Sequence, residues 1–327
     1  MAENSKILWT HHTINFWWGC AKVSDACTHC YAEGQDAHYY PEGGVNPSRT
    51  GPAKPSHWGP NAPRLLRVGP AIREAMRYQR QAEKEGARFR AFTNSMADFF
   101  EDRRDLDEAR LQALEAIRRT PNLDWLLLTK RPERVIALLN RVRDAIELEG
   151  GSGNQALRIW IDGWLEGKPS ANVWLGTTCE NQEWTDRRLA DLLKVPAAVR
   201  FLSVEPMLGE VQLKGDLAGL HWVIAGGESG PHARPMQAAW ARTLRDQCAA
   251  AGIPFIFKQW GEFCAPSQLP EEALVIWDAN ENAAGNPDLN RPMRFGKKVT
   301  GRFLDGVEHE AYPVPNLLLA AAGQTIF

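Results

Sequence analysis

The sequence predicts an α/β fold: a partial (βα)6-7 barrel of parallel strands, with a Gly/Pro-rich insert and a small C-terminal β appendage. Three observations predict it. Between Pro70 and Trp260, short apolar runs alternate with segments of helical periodicity. Repeated strand-then-helix order needs crossovers, which make neighbouring strands parallel and put the helices outside. The polar motifs fall directly after the apolar runs, at the strand ends where parallel α/β sheets and barrels build their sites. The 327 residues are enough for such a unit, since barrels of roughly 250 residues form one domain. A chain this long buries roughly three quarters of its unfolded surface and needs no staples.

In order along the chain, residues 1–13 read as a lead-in. Residues 14–18 form a short strand that delivers a cysteine loop. Residues 34–70 are rich in Gly and Pro, with His38, Tyr39, Tyr40, His57 and Trp58 interleaved and no periodicity. A loop of that length is either functional or disordered; it reads as a lid over the cysteine loop or as an ordered surface insert. Pro70 suits a first helical turn, so residues 71–85 read as helix. Residues 89–93 are a strand. Asp105 and Glu108 have capping-box spacing before a helix whose apolar face is Leu111, Leu114 and Ile117. Residues 125–129 are a buried strand, and Pro132 opens the next helix with Val135, Ile136, Leu138 and Leu139 inward. Residues 149–170 form an insert with one amphipathic piece, 159–165. Strands follow at 173–176, 199–204, 222–225 and 255–258, with helices at 182–194 and 238–250, the latter stopped by Gly252 in a left-handed cap. Beyond Trp260 the alternation stops. An Asn/Gly/Pro-rich loop, 278–292, precedes short strands with turns at Gly296 and Asp305-Gly306. The expected division is a barrel over 1–261, with its insert at 34–70, and a C-terminal extension over 262–327.

A net charge of −2 gives no general pull toward nucleic acid or membrane. No apolar run reaches ~18 residues and no charged-then-apolar leader opens the chain, so a soluble cytoplasmic protein with no membrane partner is expected. Six cysteines in 327 residues do not form a disulfide framework. Thirteen tryptophans are many, and several stand beside motifs (Trp17, Trp18, Trp174, Trp222, Trp260); they line a pocket or pack helices and barrel.

Cys20, Cys27 and Cys30 carry the strongest chemical signal, spaced C-x6-C-x2-C. A C-x2-C turn brings two thiolates to one side of one metal centre. No fourth cysteine lies nearby, whereas closed zinc and electron-transfer sites take four ligands. Three thiolates on a four-iron cluster leave one iron open to a substrate or cofactor. The alternative is zinc with a fourth ligand from His29, His38 or His57.

A short strand ending in a three-cysteine loop with a C-x2-C tail resembles the cluster loop of the radical S-adenosylmethionine (SAM) enzymes. There the usual first gap is three residues rather than six. The chain also resembles a phage-associated family of unknown function named for its three-cysteine motif. That resemblance rests on WWGCxKVSxxCxxCYAE, NSMADFF, LLTKRPE, LGTTCENQ, SVEPMLG, GGESG and GKKxxGRxLDG, which span nearly the whole chain. It implies a radical SAM-type open, TIM-like barrel, a [4Fe–4S] cluster on Cys20, Cys27 and Cys30, and SAM as second cofactor. It also implies a separate partner protein encoded nearby, and a nucleic acid or nucleotide as the substrate to test.

In that superfamily the second strand's end binds the SAM amino group, usually through Gly-Gly-Glu. Here the position reads Asn94-Ser95-Met96-Ala97-Asp98, and Asn94, Ser95, Asp98 or backbone carbonyls supply the acceptors an ammonium needs; otherwise Asn94 and Ser95 only cap the turn. Gly226-Gly227-Glu228 occurs later, where glycines allow close backbone approach to a ligand and strand-end residues reach the adenosine part; otherwise it is a Gly-rich turn with a solvated Glu228. Lys130, Arg131, Thr178, Glu180 and Glu205 follow strand ends and offer contacts to SAM or substrate, or else serve as caps and surface ion pairs. Pro206 restricts the backbone at Glu205. Cys179 reads as packing, with a hydrogen-donor role or a further ligand as the sharper alternatives. Lys297, Lys298 and Arg302 form a basic patch beside Phe295 and Phe303, a phosphate contact or a solvated turn. The rival to a radical SAM-type enzyme is a non-catalytic zinc- or cluster-binding module that works with a partner protein.

Overall fold

Apolar runs become strands where both faces are covered, and the computed structural model obeys that rule. It describes residues 5, 7–40, 56–148, 154–274 and 288–314. The chain divides into two compact units, one formed mainly by residues 1–177 and 190–200, the other by 178–189 and 201–313.

In the first unit, β1 (His12–Thr13), β4 (Phe89–Thr93), β5 (Leu123–Thr129) and β6 (Val173–Thr178) lie in that order. All are parallel, with Thr13 beside Phe92, Phe92 beside Leu126 and Leu126 beside Trp174. Leu123, Trp125, Leu126 and Leu127 are all fully buried, with buried Asp124 between the first two, the largely apolar run of a strand covered on both faces. The helices of this unit are α1 (Tyr31–Tyr39), α2 (Val68–Glu85), α3 (Asp107–Arg118), α4 (Val135–Leu148) and α5 (Gln155–Leu165). Their buried stripes recur at helical spacing, as in Leu138, Leu139, Val142 and Ile146 of α4.

Several expectations are corrected here. The first sheet strand is His12–Thr13, not 14–18; His12 is buried by stacking on Tyr78 at 3.6 Å between ring centroids, and a polar residue in that role leaves no apolar signature. Trp17–Trp18 is instead β2, paired antiparallel with β3 (Leu65–Leu66). The described part of the 34–70 insert is ordered: most of α1, the Leu65–Leu66 strand and the first turn of α2 fall within it. Residues 41–55 lie outside the described residues, so the lid reading falls outside them too. The Asp105–Glu108 capping box does not form. Asp105 instead takes the Arg103 guanidinium at 2.6 and 2.9 Å, and a 3-10 turn, Arg104–Leu106, leads into α3. The amphipathic piece at 159–165 extends back to Gln155.

In the second unit, β7 (Val199–Val204), β8 (Trp222–Gly226) and β9 (Phe255–Gln259) run parallel in that order. Helix α6 (Gln182–Lys194) starts here, and α7 (Ala238–Ala250) ends before Gly252, whose φ of +66° is the expected left-handed stop. The appendage begins with β10 (Phe263–Cys264) paired antiparallel with β11 (Met293–Arg294). Lys297–Thr300 is a helical turn rather than the strand expected. A hairpin follows, β12 (Phe303–Leu304) and β13 (Val307–Glu308), with Asp305 and Gly306 at φ +55° and +76°, as a two-residue hairpin turn requires. Residues 309–311 then hydrogen-bond along β9: Phe257 N–H to His309 O and Ala311 N–H to Phe255 O, which covers an otherwise open sheet edge. Most of the 278–292 loop lies outside the described residues. Seven parallel strands, separated by helices except between β7 and β8, make the α/β partial barrel that the sequence predicts. Among the described residues, no helix is long and apolar enough to cross a membrane.

Candidate metal centre

The chain leaves β1 at Thr13 and turns at Asn15, whose buried side-chain amide anchors the start of the cysteine loop. Asn15 Oδ1 accepts from Met96 N–H at 2.9 Å, and its Nδ2 donates to Ser95 Oγ at 3.0 Å. Phe16 N–H donates to Asn94 Oδ1 at 2.8 Å. Gly19 N–H donates to Met96 O at 3.0 Å. At Gly19 φ is +104° and a Cβ would stand 2.2 Å from His57 O, so only glycine fits. Cys20 follows directly. Cys27 closes the 3-10 turn Asp25–Cys27, and Cys30 caps the N-terminus of α1. Tyr31 then donates its hydroxyl to Ser95 O at 2.8 Å. The segment after β4 therefore grips the cysteine loop at both ends.

The segment after β5 grips its middle. Arg131 donates to Ala21 O at 2.9 Å and to the Cys20 sulfur at 3.9 Å. Ala21 N–H donates to Glu101 at 3.2 Å. Glu101 is buried and takes the guanidinium fork of buried Arg64 at 2.9 and 2.7 Å. Arg64 also holds the carbonyls of His57, Gly59 and Ala62. Asp36, fully buried on α1, accepts from both His57 N–H and His57 Nδ1. Sequence reasoning did not single out Asp36, Glu101 or Arg64. Arg64 lies in an aperiodic Pro-rich stretch and its partner is 37 residues away, so no local signal marks the pair.

None of the six cysteines is in a disulfide. Burial pushes Cys20 up to about 12; Asp98 adds to that rise and Arg131 works against it. Burial likewise raises Cys30, opposed by N–H groups of Glu33 and Ala32 and by Lys130. Cys27 Sγ lies 4.0 Å from Ser24 Oγ. Metal binding removes the burial cost, because a coordinated thiol gives up its proton. Among the described residues, no three His, Cys, Asp or Glu side chains converge on one point as a single ion requires. A four-iron cluster takes each thiolate on a separate iron and needs no such convergence. Three thiols, the N–H groups of a helix N-terminus and the cations Lys130 and Arg131 suit an anionic, thiolate-held cluster. Of the histidines offered for zinc, His57 has Nδ1 committed to Asp36, and His38 packs edge-on against Tyr39.

Around these thiols, Asn94, Ser95 and Asp98 are brought to one strand end. Asn94 Nδ2 is buried with no hydrogen-bond partner. Asp98 is saturated: it accepts from Phe100 N–H, Thr129 Oγ1, Lys130 N–H and Arg131 Nη1 at 2.7 to 3.0 Å. Burial pushes its carboxyl up, but Arg131 and those donors more than offset this and hold it below the ordinary range.

The second unit holds the other candidates. Glu180 is fully buried against Arg188 at 2.9 Å, and Arg188 also donates to Thr178 O at 2.8 Å. Glu205 pairs with Lys258, and the Glu205–Pro206 peptide is cis. A Cβ on Gly226 would stand 3.5 Å from Glu205 Cγ. Gly227 serves the protein's own packing: a Cβ there would lie 1.8 Å from Trp260 O. Glu228 is not solvated; it is buried and gripped by Arg234 through Nε, Nη2 and backbone N–H. Cys179 is buried, 3.8 Å from Trp184 O, in keeping with packing. Arg302 is tied to Glu308 and Glu310, which removes it from the expected basic patch.

A family described as Protein of unknown function (DUF5131) matches residues 4–313. No curated protein matches the chain. Among solved structures, a cysteine-to-serine mutant of spore photoproduct lyase is similar at 15% identity and TM-score 0.37, covering 69% of this chain and 58% of that one. A cysteine-to-alanine mutant of the same lyase, with a dinucleoside spore photoproduct, is similar at 15% identity and TM-score 0.37, covering 75% and 62%. The chain thus spans about three fifths of the length of either lyase structure.

Proposed function

The chain belongs to the family described as Protein of unknown function (DUF5131), and we propose that it is a radical SAM-type iron–sulfur enzyme. One observation carries this reading. The loop bearing Cys20, Cys27 and Cys30 is fastened to the C-terminal ends of two adjacent parallel strands by Asn15, Tyr31 and Arg131, on the face where such sheets build their sites. Those cysteines would hold a [4Fe–4S] cluster. When bound with SAM, it supplies one-electron chemistry, a radical that takes a hydrogen atom from a substrate. The chain's own part is placement and dryness. Phe16, Trp17, Phe99 and Phe100 are fully buried behind the loop. Asn94 keeps a buried, unpartnered Nδ2 donor, and a ligand acceptor there would recover about 1–3 kcal/mol of desolvation cost. Asp98, already carrying four donors, orients Arg131 rather than receiving an ammonium.

The test is anaerobic reconstitution followed by counts of iron, sulfide and zinc, then addition of dithionite and SAM. About four irons per chain, with 5′-deoxyadenosine formed by the native chain and lost in Cys27→Ala, is the expected result. Stoichiometric zinc without SAM cleavage overturns the reading in favour of a metal-holding partner module. Nucleotides and short oligonucleotides, deuterated in the sugar, are the first substrates to supply; the label should appear in 5′-deoxyadenosine.

A further inference from the structure

We propose that Arg131 is a positioning residue for Cys20 that also raises the reduction potential of the cluster. The second half rests on the cofactor reading above; the first does not. Arg131 follows β5 and is buried, with 9% of its surface exposed. Its backbone N–H is held by Thr129 Oγ1 at 2.9 Å. Nη1 serves both Asp98 Oδ2 at 2.7 Å and Cys20 Sγ at 3.9 Å, while Nη2 holds Ala21 O at 2.9 Å. Asp98 is itself fixed by Thr129 Oγ1, Lys130 N–H and Phe100 N–H, so the guanidinium cannot swing away from the sulfur. One side chain thus pins the carbonyl after Cys20 and donates to its thiol.

The electrostatic consequence has a definite sign. Reduction adds negative charge to a cluster and its thiolates. A cation and an N–H donor beside a thiolate stabilise the reduced state more and raise the potential. The low local dielectric strengthens the effect. The neighbouring charges are Asp98, Glu101, Arg64 and Lys130. Glu101 lies 4.0 Å from Arg131 but gives its carboxylate to Arg64. Asp98 offsets part of the Arg131 charge and none of its N–H···S contact.

Three variants test this: Arg131→Gln, Arg131→Lys, and the double variant Asp98→Asn with Arg131→Gln, which removes both buried charges and guards against misfolding. Each is reconstituted, its iron counted and its midpoint potential titrated. At a poise near the native midpoint, Arg131→Gln should show a tenfold drop in the ratio of reduced to oxidised cluster, about 59 mV for a one-electron couple. Arg131→Lys, which keeps the charge without the fork, should fall between. The double variant should also lie below the native value, by less than Arg131→Gln. An iron-loaded Arg131→Gln protein with the native potential overturns the claim. Hydrogen exchange of the metal-free chain reads the positioning role independently. Peptides covering 19–23 should exchange about tenfold faster in Arg131→Gln, the size expected for losing a charged hydrogen bond, while β9 peptides stay unchanged. Unchanged exchange at 19–23 overturns the positioning role. A native chain that loads no cluster overturns the potential claim along with the cofactor reading, and leaves the exchange result to judge the rest.

Discussion

Asp98 and Asp305 carry carboxyls held low by arginines, and they differ in what else surrounds them. At Asp98 burial opposes the charge and pairing wins. Asp305 is partly exposed and tied to Arg242, Arg245 and Gln268, with its pKa lowered to about 2 by those hydrogen bonds, Arg242 first. Because the folded value lies below the unfolded one of about 3.9, Asp305 contributes stability above that pH and loses it as pH falls toward 2. Asp305 sits at φ +55°, a conformation asparagine tolerates, so Asp305→Asn removes charge without backbone strain. Its urea midpoint should fall by the equivalent of about 1 kcal/mol at pH 7, a modest figure because the pair is solvent-screened. The gap to the native chain should close between about pH 4 and pH 2. A gap that persists at pH 2 refutes the assignment.

Among the elements, what was legible and what was not divides along one physical line. Runs such as residues 125–128 and Trp222–Gly226 announce themselves because a strand covered on both faces is largely apolar. The Asp305-Gly306 turn and the Gly252 stop were legible because only a few residues adopt positive φ. His12–Thr13 was not, since its burial comes from stacking on Tyr78, a residue far along the chain. The three cysteines were legible from spacing. Arg131 was legible as a strand-end cation, but its clamp role and its partners Asn15, Glu101 and Arg64 were not, because buried ion pairs and side-chain amides carry no period. Gly227 was read as room for a ligand, whereas the ends of β8 and β9 press together there. Gly227→Ala should therefore cost at least about 3 kcal/mol in chemical denaturation, as severe backbone overlaps do. A loss below 1 kcal/mol would show that these strand ends separate easily.

For the whole molecule, the three thiols and their clamp belong to one compact unit and the β7–β9 strands to the other. A cofactor that binds only the native state protects what it touches. On reconstitution, amide exchange should slow over 15–34, 94–101 and 129–131, while α7 and β9 peptides change little. Uniform slowing of both units would mean that loading acts on the global unfolding equilibrium instead.

The strand that launches the cysteine loop has a biosynthetic consequence. His12 pairs with Ala91, and Ala21 is anchored by Arg131. The cysteine loop thus leaves the ribosome well before it can find its place, since it waits for a partner 110 residues behind it. Contacts so distant in sequence form slowly. Until Arg131 emerges, the three thiols travel on an untethered nascent segment, open to stray metals and oxidants. If the proposed cluster is held there, its loading would follow synthesis of the β5 end.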